Sequence, residues 1–109
     1  MIDWKRVEDL KAEIGFDGFA EVADMFLEEA EAAVQALGSD LRADDVEAQL
    51  HFLKGSALNL GLTDLAGICQ LEERRVAAGQ RDKVDPARIA AVYQASRAQL
   101  MAGIAPPTG

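Results

Sequence analysis

The chain contains a single histidine, His51, within the run Leu50-His51-Phe52-Leu53-Lys54-Gly55-Ser56-Ala57. Imidazole is the side chain whose ordinary pKa leaves it neutral and nucleophilic near pH 7. Lys54, one helical turn further on, adds a fixed positive charge, and Gly55 beside it removes all side-chain bulk. These residue types at this spacing suit a nitrogen nucleophile that carries a negatively charged group. A metal fits less well, because there is no second histidine, Cys69 falls on an expected core stripe, and structural zinc usually takes four ligands.

The position of His51 on its helix sharpens this. Val46, Leu50, Leu53, Ala57 and Leu60 alternate steps of four and three, a seam that faces a bundle core. At about 100° per residue, His51 lies about 140° from the centre of that seam, Gly55 about 180° and Lys54 about 80°. A glycine in mid-helix costs about 0.8–1 kcal/mol relative to alanine, and on an exposed face the close approach of another molecule accounts for it. Ala48, Leu58 and Leu62 share this outward sector, with Phe52 at its edge. Apolar surface there reads as a docking site. The plainer alternatives are an incidental surface histidine and a patch covered by another segment. Lys54, Gly55 and the apolar surround weigh against the first.

Five helical segments hold these residues. The first spans about Asp3 to Ile14, with Asp3 as N-cap, Trp4, Val7, Leu10 and Ile14 as its stripe and Gly15 as its stop. The second spans about Asp17 to Leu37, with Phe19, Val22, Ala23, Phe26, Ala30, Ala33 and Leu37 inward and Glu21, Asp24, Glu28 and Glu31 solvated. The third spans about Asp44 to Leu60, opening on an Asp44–Glu47 capping box and broken by Gly61. The fourth spans about Thr63 to Ala78 around Leu65, Ile68, Cys69 and Val76, and Gly79 stops it. The fifth opens on Asp85 and Pro86 and carries Ile89, Val92, Tyr93, Ser96 and Leu100. Short connections predict an all-α, up-and-down antiparallel four-helix bundle over residues 1–104 with a short additional N-terminal helix, and a flexible tail over 105–109.

Composition limits the partners. Against 11 Lys and Arg stand 19 Asp and Glu, a net charge of −8, which argues against nucleic acid and anionic membrane surfaces. No apolar run approaches membrane-spanning length, and Met1-Ile2-Asp3-Trp4-Lys5 lacks the regions of a signal peptide. A lone cysteine fits a reducing compartment, so the cytoplasm is expected. The starting Met and the short stretch after Leu100 favour a free-standing protein.

His51-Phe52-Leu53-Lys54-Gly55-Ser56-Ala57, followed by Leu60-Gly61-Leu62, resembles the phosphoacceptor motif of histidine-containing phosphotransfer (HPt) domains. Leu65, Ile68 and Cys69 match the family's next helix, Phe26-Leu27-Glu28-Glu29-Ala30 looks like its second helix, and the resemblance covers roughly residues 3–102. It implies a phosphoryl carrier of two-component phosphorelays, a substrate and intermediate rather than an enzyme. His51 would accept phosphate from a receiver-domain aspartate or a histidine kinase and pass it to a receiver aspartate. Lys54 would stand near the phosphoryl group, and Gly55 would let the receiver approach. Glu73 falls where the family places a Gln or Glu that orients the imidazole. Glu72 departs from the family, which usually carries an apolar residue there, and predicts a helix splayed or registered differently. No cofactor is expected in the chain itself. Mg²⁺ would come from the receiver, the partners would be response-regulator receiver domains and a histidine kinase, and a free docking patch predicts a monomer. The competing function is a helical-bundle interaction module that binds a receiver or kinase without transferring phosphate.

Overall fold

Apolar residues at helical spacing build four α-helices in the computed structural model, which describes residues 2–39 and 43–104 and, of 43, 44, 81 and 104, the backbone alone. They are α1 (Trp4–Leu37), α2 (Ala43–Leu60), α3 (Thr63–Ala77) and α4 (Pro86–Ile104), with a 3₁₀ turn at Arg81–Lys83. Among the described residues there is no strand, and an isolated antiparallel bridge joins Ile2 to Leu62. The expected Asp44–Glu47 capping box and the 105–109 tail lie outside the described residues.

Each helix packs on two others, in the order α1–α2–α3–α4 and back to α1, and α2 with α3 forms the most extensive pair. The α2 seam is buried in full: Val46, Leu50, Leu53, Ala57 and Leu60 meet Leu65, Ile68 and Cys69 of α3 and the inward stripe of α1 in one apolar cluster. Burying such a leucine stabilises the fold by about 1.5–3 kcal/mol. Tyr93 ties α4 to α1, its hydroxyl donating to the Leu27 carbonyl at 3.0 Å in the interior.

The N-terminal half corrects several expectations. α1 holds two helical stretches that meet at a kink at Gly15, the expected stop of the first, where the backbone leaves the helix at φ 78° and ψ 165°. A side chain there would be strained by the backbone angle alone. Trp4, Ile14 and Val22, expected on buried stripes, are exposed to between 37% and 41%. Ile14 precedes the kink at Gly15, and Val22 lies at the margin of a face on which Phe19, Ala23 and Phe26 are buried. Trp4 lies across the end of α4, where a Cβ on Gly103 would overlap its indole.

At the α2–α3 turn Gly61 takes φ 79°, and a Cβ there would stand 2.7 Å from the Asp3 carbonyl oxygen. The N-terminal segment uses that space. Asp3 donates its N–H to the Gly61 carbonyl at 2.7 Å, and Arg6 reaches the Asn59 carbonyl at 2.9 Å and its side-chain oxygen at 2.8 Å. Leu62, expected on the outward docking sector, is therefore wholly buried. Gly61 takes it off the α2 wheel, and Ile2 covers it.

Candidate functional site

The turn Gly61-Leu62 folds α3 back on α2 and sets Glu73 level with His51 and Lys54. The outward phase of His51 is realised: its side chain is 75% exposed, in the middle of α2. The Glu73 carboxylate oxygen Oε2 stands 3.8 Å from the imidazole Nδ1, a charge-pair distance longer than a hydrogen bond. The same oxygen accepts a hydrogen bond from Lys54 Nζ at 3.3 Å. Lys54 Nζ also lies 3.2 Å from Glu73 Oε1, close enough for charge pairing but without hydrogen-bond geometry, so Oε1 has no hydrogen-bond partner. Both members of this pair are about three-quarters or more buried, which shields it from water and salt. Lys54 thus rests on Glu73, and the imidazole edge away from Nδ1 is open.

Around this centre the predicted docking residues divide. Ala48, Phe52, Gly55 and Leu58 are exposed, and a Cβ on Gly55 would meet nothing within 4 Å. Leu62 does not join them. The surface extends instead toward α1. A hollow lined by Val22, Met25, Glu29, Ser56 and Asn59 adjoins a second lined by Glu29, Ala32, Ala48 and Phe52, and a third holds Ala48, Glu47, His51 and Glu73. Shared residues Glu29 and Ala48 connect these hollows into a trough that runs between α1 and α2 and crosses to the α2–α3 side at the imidazole. Among the described residues no Lys or Arg lines it. Met25, 61% exposed, went unmarked in the sequence because it flanks the α1 stripe rather than breaking its pattern.

Behind the site, α3 is not splayed. Glu72 is fully buried with both oxygens bonded: Oε1 accepts from Arg75 Nη1 at 2.9 Å and Oε2 from the Asp85 N–H at 3.1 Å. Its two partners arrive only with the fold. Cys69 is buried as expected, and burial, followed by the Glu73 and Glu72 carboxylates, pushes its thiol up to about 12. Among the described residues no three His, Cys, Asp or Glu side chains are gathered as a metal ion would need. No helix there is long and apolar enough to cross a membrane.

The family model described as Hpt domain matches residues 21–102. No curated protein and no solved structure matches the chain.

Proposed function

The chain belongs to the Hpt domain family, whose members are phosphocarrier modules of two-component signalling, and on that premise we propose that His51 accepts a phosphoryl group and hands it on. The donor is a receiver-domain aspartyl phosphate or a histidine kinase, and the final acceptor is a receiver aspartate. One observation carries this reading: the lone imidazole is exposed on α2, its Nδ1 turned to the Glu73 carboxylate and its other edge free.

The chemistry follows from that orientation. With its proton on Nδ1 beside Glu73, the imidazole keeps its lone pair on Nε2. Nε2 attacks phosphorus in line, the bond from phosphorus to the aspartate oxygen breaks, and the aspartate leaves as carboxylate. No proton has to depart. The ring becomes cationic, and the Glu73 carboxylate stands next to that charge. Lys54 then exchanges Glu73 for the new phosphoryl oxygens. The transfer's Mg²⁺ comes with the receiver, as the family resemblance implies.

Ala48, Phe52, Gly55 and Leu58, extended by Met25 and Val22, form the docking face. The bundle runs up and down with antiparallel neighbours, which the two-residue α2–α3 link supports. The α1 segment before Gly15 serves as the additional N-terminal helix, laid over the α2–α3 turn. We place the protein in the cytoplasm as a monomer, because the docking face must stay free.

The test mixes the protein with a phosphorylated receiver, or with a kinase and ATP, and looks for acid-labile, base-stable phosphate. Label on the wild type that disappears in His51→Gln supports the reading. Absence of label across a panel of receivers and kinases sinks it.

A further inference from the structure

Among the described residues Glu72 is the one charged side chain with no exposure at all. It precedes Glu73 on α3, and neighbouring helical positions differ by about 100°. The two carboxylates therefore face different helices: Glu73 meets Lys54 of α2, and Glu72 meets the start of α4. Asp85 caps α4 with its Oδ1, which accepts the Arg88 N–H at 3.1 Å. In a capping box, the residue three positions after the cap bonds the cap's own N–H in return. Here that residue is Arg88, which has no acceptor atom. Glu72 takes the part from another helix through its bond to the Asp85 N–H. Arg75 closes the loop, donating from Nη1 to Glu72 and at 3.2 Å to the Lys83 carbonyl.

We propose that Glu72 is a positioning residue for the phosphoacceptor site: its clamp on the α4 cap fixes the rotation of α3 and so sets Glu73 against Lys54 and His51. The lever is short. At a side-chain radius of about 5–6 Å, a 10° turn of α3 moves Glu73 by about 1 Å, roughly a quarter of its 3.8 Å distance to Nδ1. An apolar residue in place of Glu72 fills the same space and leaves the Asp85 N–H without its carboxylate. The inference rests on the reading of His51 as phosphoacceptor, and its test separates the two.

The experiment is a double-substitution cycle of Glu72→Leu with Glu73→Ala, read by phosphoryl acquisition from a receiver and by the imidazole Cε1–H proton resonance. With one histidine in the chain, that resonance has one assignment. Glu72→Leu slows acquisition by about three- to tenfold in the wild-type background and has no further effect once Glu73 is alanine. The resonance moves in Glu72→Leu and does not move again in the double variant. Glu72→Gln keeps an acceptor for the Asp85 N–H and stays within about twofold of the wild-type rate. Equal slowing in both backgrounds overturns the proposal, as does a folded Glu72→Leu with wild-type rate and resonance. If Glu72→Leu loses its helical circular dichroism, Arg75→Met removes one arm of the clamp from a half-buried site and is judged by the same criteria. If the wild type takes up no phosphate, the carrier reading fails and the resonance cycle alone decides the clamp.

Discussion

Glu73 serves two groups with one carboxylate. Its oxygens bond Lys54 and face the imidazole, so removing it frees a cation and leaves the ring unsupported at once. Glu73→Ala should slow phosphoryl acquisition by about tenfold, the loss of roughly 1.4 kcal/mol of transition-state stabilisation, without abolishing it. Glu73→Gln, which keeps an acceptor oxygen, should lie between; single-turnover transfer from a receiver measures both, and an unchanged Glu73→Ala rate removes Glu73 from the mechanism. Cys69 makes a prediction of another kind. The unfolded thiol ionises near 9.0, whereas burial holds the folded thiol to about 12. Between these values the unfolded state binds fewer protons than the folded one, so the thiol's share of stability falls as pH rises. Below pH 9 it costs nothing. Urea titrations from pH 8 to 10.5 should show the wild type losing stability relative to Cys69→Ala, with a slope that approaches about 1.4 kcal/mol per pH unit. Parallel lines for the two proteins would mean that Cys69 keeps its ordinary acidity.

At the level of helices, the turn glycines carry information that the apolar periodicity lacks. Gly61 combines a left-handed backbone with a close approach of the Asp3 carbonyl, so no side chain is free of conflict there. Gly61→Ala should cost about 1–2 kcal/mol for the backbone angle alone, with the clash against Asp3 in addition. The urea midpoint measures this, and an unchanged midpoint would mean that the N-terminal segment does not rest on the turn. Removing the α4 cap by Asp85→Ala should cost about 1 kcal/mol by the same measurement. These elements also show what the sequence could and could not disclose. The α2 seam and the outward phase of His51 were legible because both depend on helical spacing, which is local. The caps at Asp3 and Asp85 were legible for the same reason. Leu62 was misplaced because its burial depends on Ile2, some sixty residues away, and on a turn that leaves the helical wheel. Glu72 looked like a fault in its helix because its partners, Arg75 and the Asp85 N–H, surround it only when the α3–α4 connection folds back. Met25 stayed hidden because an exposed apolar residue beside a buried stripe has no signature of its own.

The whole molecule sets an apolar face on a strongly acidic body. A net charge of −8 works against self-association, and Met25 and Leu58 are exposed to 61% and 57% along the way to His51. On a charged surface, exposed apolar anchors of this kind carry most of an interface's energy, and on the proposed function the receiver docks on them. The carboxylates of Glu29 and Glu47 along the trough, with no lysine or arginine among the described lining residues, add a preference for a partner that brings cationic groups to the rim. Met25→Glu and Leu58→Glu should each raise the Kd for a receiver by about tenfold or more, or 1.4 kcal/mol. Because neither side chain is in the core, the unfolding free energy should stay within about 0.5 kcal/mol of the wild type. Leu71→Glu provides the control, since Leu71 is also an exposed leucine, at 38%, but lines the α3–α4 side of the bundle. Calorimetric titration of a receiver into the three variants separates the outcomes. Loss of affinity in Met25→Glu and Leu58→Glu with Leu71→Glu unaffected locates docking on the α1–α2 trough. An equal loss in all three would make the effect one of net charge alone, and a loss confined to Leu71→Glu would move the receiver to the opposite face, out of reach of His51.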